Sequence, residues 1–281
     1  MTRRYTRALA LLLLALVVAT GVAGAEESPP LVRVHERHVG RDVELVVENL
    51  VTAEVTVTLR LDVAENVEAD REQPRTFVLP GASTATAFRV LLPRDGSRWR
   101  YHYLWNVRLG SADAHPDLRA VYRLPFAAGQ RFKVLQGFDG TFSHHGAQRY
   151  AVDFQMPRGT EVRAARDGEV VYTIDRYTRS APDPALAPFT NEVIVRHSDG
   201  SCAEYVHLQR GGVNVRAGDR VRAGDVLGRS GDVGYASEPH LHFMVFRPID
   251  GIDSESFPMR FDVAESDDPV TPVEGRVYTA R

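Results

Sequence analysis

Pro239-His240-Leu241-His242-Phe243-Met244-Val245-Phe246 is the stretch on which the reading of this chain turns. Its apolar, Phe- and Val-rich run predicts a buried β-strand. Side chains alternate faces along a strand, so His240 and His242 are expected on the same face, roughly 6–7 Å apart at their origins on a ~3.3 Å rise. Two imidazoles placed that way can serve one site, one binding a metal while the other reaches a group held beside it. The same spacing suits a pair of half-exposed structural histidines, so the rest of the chain has to decide.

Around this stretch the second half of the chain alternates glycine turns with short strands, and no helix-period segment of useful length appears. Glu192 to Arg196 and Cys202 to Leu208, separated by His197-Ser198-Asp199-Gly200-Ser201, read as a hairpin. Val215-Arg-Ala-Gly-Asp219 recurs as Val221-Arg-Ala-Gly-Asp225, which suits successive turns of an antiparallel β fold and is too short for a solenoid. The proline-rich segment 176–190 reads as a loop, either bordering a groove or a tolerated surface insertion. From Leu31 to about Leu124 five to seven short strands recur at regular spacing, with turns at Pro80-Gly81 and Arg94-Asp95-Gly96. That pattern predicts an immunoglobulin-like sandwich. The expected architecture is therefore all-β: a sandwich over 31–124, an antiparallel β domain over 125–250, and an extension over 251–281. In that extension Phe257 to Phe261 should pack, and the last fifteen or so residues should be loosely held.

The start of the chain carries Arg3, Arg4 and Arg7, an apolar run from Ala8 to Val18, and Ala23-Gly24-Ala25. This is the pattern of a secretory signal peptide over 1–25, too short for a comfortable membrane span. An exported protein, periplasmic or extracellular, with no stable span after cleavage is expected. Removing those three arginines takes the formal charge from −3 to −6, which argues against nucleic acid as a partner. The single cysteine, Cys202, excludes an intramolecular disulfide, so stability must come from the core. A monomer is the expected state.

The run from Phe142 to about Phe246 resembles the M23, or lysostaphin-type, zinc metallopeptidases. The resemblance rests on three segments in order: His144 with Asp153, Tyr205-Val206-His207-Leu208, and Pro239-His240-Leu241-His242-Phe243, joined by glycines such as Gly159, Gly168, Gly228, Gly231 and Gly234. It implies an antiparallel β peptidase domain and one Zn2+ held by His144, Asp153 and His242. His207 and His240 are implied as the unliganded catalytic pair, and peptide bonds of peptidoglycan stem peptides or cross-links as substrate. Two imidazoles and a carboxylate suit zinc, and a catalytic zinc keeps one position for water, whose pKa can approach ~7. Many relatives space the first His and Asp four apart, whereas here Asp153 lies nine residues after His144. The His-x-Gly pattern of relatives fits His144-His145-Gly146 and favours His144, although ligand chemistry alone would accept His145. His197 reads as a structural hairpin residue, Tyr205 and Ser230 as groove or packed residues, and Arg149 and Arg229 as solvated or substrate-facing.

Two other classes stand beside this reading. A cysteine hydrolase built on Cys202 lacks any feature that would lower the thiol pKa. A non-enzymatic or latent M23-like regulator of other cell-wall hydrolases would be expected to lack metal ligands, or to hold its first domain over the groove.

Overall fold

The computed structural model describes residues 30–281, so the candidate signal segment 1–25 lies outside the described residues. The first half folds as two antiparallel sheets. Val32–Val39 (β1), Asp42–Asn49 (β2), Val55–Glu65 (β3), Arg75–Leu79 (β4), Thr84–Leu91 (β5) and Arg100–Leu109 (β6) supply the main strands. One sheet runs β1-β2-β5 with the two-residue Glu68–Ala69 at its edge, and the other runs β4-β3-β6. Val43, Leu45 and Val47 of β2, Val55, Val57 and Leu59 of β3, and Phe88 of β5 are fully buried between them. Alternation of apolar residues on strands, with the apolar set turned inward, is what drives the two sheets together.

The second half is built on a larger antiparallel sheet. Its principal strands are Arg131–Gln136 (β7), Val152–Phe154 (β8), Gly168–Ile174 (β9), Glu192–Arg196 (β10), Cys202–Val206 (β11) and Leu241–Pro248 (β12). Across the sheet they run β9-β10-β11-β12-β8-β7, with Arg220–Val221 outside β9 and Val277–Thr279 outside β7. The hairpin read from the sequence is β10–β11, in register from Glu192↔Val206 to Arg196↔Cys202. Both copies of the Val-Arg-Ala-Gly-Asp repeat make the same turn. Asp219 Oδ2 accepts from the Arg216 N–H and Asp225 Oδ2 from the Arg222 N–H, each at 2.8 Å.

The two faces of this sheet have different fates. Val152, Phe154, Val193, Tyr205, Leu241, Phe243 and Val245 turn inward to a core shared with Leu227, Phe261 and Tyr278. Ile194, Cys202, Met244 and Phe246 turn outward and join one apolar cluster with Leu45, Val57, Leu59 and Phe88 of the sandwich. The halves are thus joined by a continuous core. Polar ties add to it: Arg108 Nε donates to the Ile252 carbonyl at 2.9 Å, and the Gly251 N–H donates to Thr58 Oγ1 at 2.9 Å.

The end of the chain departs from expectation. Phe261 and Met259 are buried as foreseen, but Tyr278 and Ala280 are buried as well, and Val277–Thr279 pairs antiparallel with β7. The last residues close a sheet edge; only two of them are apolar and inward, too few for the sequence pattern to show it.

Two outcomes follow from the shared core. Phe246→Ala should cost about 3–5 kcal/mol, read from denaturant melts of the whole chain, because a buried aromatic is replaced by a cavity between the halves. Deleting residues 31–124 should lower the melting temperature and solubility, since it exposes Ile194, Met244 and Phe246 together.

Candidate active site

The site begins with register. Asp153 on β8 is the direct cross-strand partner of His242 on β12, and His242 of Val206 on β11. Asp153 also pairs with Gln136 on β7, and Val206 with Glu192 on β10. Direct partners in an antiparallel ladder share a face, so Gln136, Asp153, His242, Val206 and Glu192 form one row across five strands. His144 arrives from the loop between β7 and β8. That loop absorbs the long His–Asp spacing with a 3-10 turn at Gly146–Gln148, and Arg149 Nε ties back to Asp139 Oδ1 at 2.7 Å. His144 is fully buried, while His145 is exposed at the surface.

Three donor atoms converge. His242 Nδ1 lies 2.9 Å from Asp153 Oδ1, and His144 Nε2 lies 3.2 Å from the same oxygen. His144 Nδ1 donates to the Gly137 carbonyl at 2.9 Å, which leaves Nε2 as the nitrogen turned to Asp153, buried and without a hydrogen-bond partner. With metal–ligand bonds of ~2.0–2.1 Å, tetrahedral donors sit about 3.3 Å apart. The observed spacing and the orphaned nitrogen therefore fit a single divalent ion. Among the described residues this trio is the His/Cys/Asp/Glu group close enough to hold a metal.

His207 and His240 stand together on the cavity side, their ring centroids 4.5 Å apart. Each anchors Nδ1 on a backbone carbonyl: His207 on Val233 at 2.9 Å, His240 on Glu238 at 2.8 Å. Each therefore leaves Nε2 free, and that of His240 lies 3.8 Å from Asp153 Oδ1. His207 takes a left-handed backbone, φ +67°, a conformation that costs a non-glycine residue energy and is found where surroundings over-determine it. Gly231 is part of those surroundings: a Cβ there would lie 2.9 Å from the His207 carbonyl oxygen and 2.7 Å from the Gln209 nitrogen. An open cavity of about 470 Å³ lies over Asp153, His207, His240 and His242, with Gln136, Glu192 and Glu204 in its lining and Pro188 of the 176–190 loop on its wall.

Charges are tightly linked here. Burial opposes the charge on Asp153, but the close approach of His144 and His242 outweighs it and holds the carboxyl well below its usual range. Burial likewise opposes a proton on His242, yet Asp153 and Glu204 push its pKa up to about 10. Burial, helped by His240 and His242, pulls His207 down to about 3, so that ring is neutral. Burial and the nearby Glu204 raise Glu192 to about 8.

The other residues singled out from the sequence lie elsewhere. Tyr205 is buried on the inner face, its hydroxyl accepting from the Ala165 N–H at 2.7 Å. Ser230 donates to the Pro157 carbonyl at 2.6 Å, and Arg229 Nη1 donates to the Gly159 carbonyl at 3.0 Å. Burial pushes the Cys202 thiol up to about 12, which removes the thiolate a cysteine hydrolase needs. Gln136, Glu192 and Glu204 escaped the sequence reading. Gln136 Nε2 donates to Asp153 Oδ2 at 3.2 Å while its Oε1 accepts from the N–H of Phe142 and of Ser143. Alternation along β10 and β11 places both glutamates on the face of His242, which was the one available signal.

An antiparallel β domain that gathers two histidines and a carboxylate at one point, beside two further histidines on an open cavity, is the framework of a single-metal hydrolase. Residues 147–254 match the model of Peptidase family M23. The chain is 40% identical over 100 residues to glycyl-glycine endopeptidase ALE-1 of Staphylococcus capitis, covering 35% of this chain and 25% of that protein. It is 30% identical over 156 residues to peptidoglycan DD-endopeptidase ShyA of Vibrio cholerae, covering 53% of this chain and 33% of that one. The chain thus spans a quarter to a third of these relatives. Among solved structures, the catalytic domain of the antimicrobial peptidase lysostaphin from Staphylococcus simulans aligns with 25% identity and a TM-score of 0.32, over 45% of this chain and 87% of that one.

His197, away from the site, gives a pH signature. Its Nδ1 donates to the Asp167 carbonyl at 2.8 Å, and burial pulls its pKa down to about 4. Between the unfolded value of 6.5 and about 4 the unfolded chain binds a proton that the folded chain refuses. Stability should therefore fall as pH drops through that window, by up to roughly 3 kcal/mol. Denaturant melts of the parent and His197→Gln at pH 7 and pH 4.5 should show a smaller acid loss in the variant.

Proposed function

We propose that this protein is an exported zinc-dependent endopeptidase that hydrolyses peptide bonds in peptidoglycan stem peptides or cross-links. The observation that carries the reading is the convergence of His144 Nε2, Asp153 Oδ1 and His242 Nδ1 under a cavity that also holds His207 and His240. His144, Asp153 and His242 would hold the zinc. When bound, zinc supplies a Lewis acid that acidifies water and draws electron density from a carbonyl.

The chain's own groups do the rest. Asp153 offsets one of the ion's two charges, so electrophilic character remains. His207 and His240, with Nδ1 committed to backbone carbonyls, keep Nε2 available on the cavity side. Neutral His207 is set to accept a proton from the attacking water, and an imidazolium so formed can return it to the departing amine. Its neighbour His240 is placed to orient that water and to donate to charge developing on the carbonyl oxygen. The 176–190 loop and the Tyr235–Glu238 segment supply cavity walls along which an extended peptide can lie. ALE-1 is a glycyl-glycine endopeptidase and ShyA a peptidoglycan DD-endopeptidase, and similarity to both supports that substrate class. A regulator that had lost its metal would be missing donors, and the retention of His144, Asp153 and His242 at one point supports the enzymatic reading.

His242→Ala and Asp153→Ala should lose zinc and peptide release together. His207→Ala should keep stoichiometric zinc while activity falls about 10²–10⁴-fold. Metal analysis and mass spectrometry of fragments released from defined peptidoglycans read both. A fully active His207→Ala, or a parent chain that purifies without zinc and releases nothing, would sink the reading.

A further inference from the structure

His242 has two ring nitrogens, and holding a metal uses one. Nδ1 faces Asp153 Oδ1 at 2.9 Å and belongs to the donor trio. Nε2, on the other side of the ring, is buried and has no hydrogen-bond partner; it faces Glu204 Oε1 at 3.4 Å. A metal-ligating imidazole commonly donates its second N–H to a carboxylate, carbonyl or water, which fixes the tautomer and the ring plane. A buried N–H left without an acceptor is costly.

We propose that Glu204 is a positioning residue of the metal centre: its carboxylate accepts the Nε2–H of His242, so that Nδ1 presents its lone pair to the ion. The inference rests on the metallopeptidase reading and adds a residue to it. The backbone sets the contact. Glu204 pairs with Met244, two positions along β12 from His242 and on the same face, which is the diagonal separation at which long side chains of neighbouring strands meet. The arrangement mirrors that of His144, whose Nδ1 already donates to the Gly137 carbonyl. Each candidate histidine ligand thus turns one nitrogen to Asp153 and has an oxygen behind the other. Glu192 does not compete for the role. It lies one strand farther out, paired with Val206.

The test titrates zinc-free chains with zinc against a chromogenic chelator, after their melting curves have shown them folded. Glu204→Ala should weaken zinc binding 10–100-fold, and Glu204→Gln should lose less, since its amide oxygen still accepts the bond. Glu192→Gln, which removes a carboxylate from the same face without touching His242, should stay within about twofold of the parent. The proposal is overturned if Glu204→Ala stays within that margin, if Ala and Gln lose equally, or if Glu192→Gln weakens binding as much as Glu204→Ala. Should Glu204→Ala fail to fold, the parent decides. Long-range 1H–15N spectra of the zinc-loaded chain must show His242 protonated at Nε2 and ligated through Nδ1, and the reverse assignment ends the idea. A parent that takes up no zinc overturns the metallopeptidase reading itself. A parent that binds zinc beside an unaffected Glu204→Ala overturns the positioning role alone.

Discussion

The direct cross-strand pairing of Asp153 with His242 is the constraint on which the rest depends. Side chains alternate with a period of two, so a slip of one residue between β8 and β12 would turn one of them into the core and bring an apolar neighbour out. The inner face prevents that slip. Phe261 meets Phe154 and Phe243 edge-on, with centroids 5.9 and 5.8 Å apart, and Tyr205 lies 5.0 Å from Phe243. Burying these rings is worth far more than any polar contact on the other face. The aromatic core therefore fixes the register, and the register assembles the site.

That arrangement lets a charged site exist in a buried place. An isolated buried carboxylate would be expensive. Asp153 is instead surrounded by three histidines and by the Gln136 amide. The same carboxylate, with Glu204, favours the charged form of His242, and a metal bound at this point would compete with that proton. His207 and His240, beside this cluster, each have Nδ1 tied to a backbone carbonyl. His207 takes a left-handed backbone, and Gly231 packs closely against its carbonyl. Preorganised groups of this kind need little rearrangement when charge develops.

Much of this was legible in the sequence, and the reason is local. His240 and His242 announce a shared face through strand alternation, and the β10–β11 hairpin through its turn residues. The peptidase-like order of the three motifs then points to His144, Asp153 and His207. Ligand chemistry does not separate His144 from His145, because both are imidazoles; what separates them is the loop, which buries His144 beside Asp153 and leaves His145 exposed. Gln136 and Glu204 were hidden for a different reason. Their roles come from pairing between strands far apart in sequence, and a lone Gln or Glu on a strand carries no mark of its neighbours. The closing strand at Val277–Thr279 was missed similarly, since edge pairing is satisfied by backbone groups that every residue has.

The outer face of the sheet explains why the two halves form one body. Along β12 the outward residues run His242, Met244, Phe246, and along β11 Glu204 is followed toward the turn by Cys202. The polar end is the site, and the apolar end is covered by the sandwich. A face so divided needs a cover on one part and an opening on the other. Among the described residues, those that line the cavity over the site all come after 134, so the sandwich stands beside the groove. A sandwich that acted as a removable plug would have to leave without disturbing β11 and β12. Yet its core is continuous with Cys202, Met244 and Phe246, on the strands that lead to His207 and carry His242. Its geometry is that of a buttress for those two strands, which is a reason for the chain to keep both halves in one core.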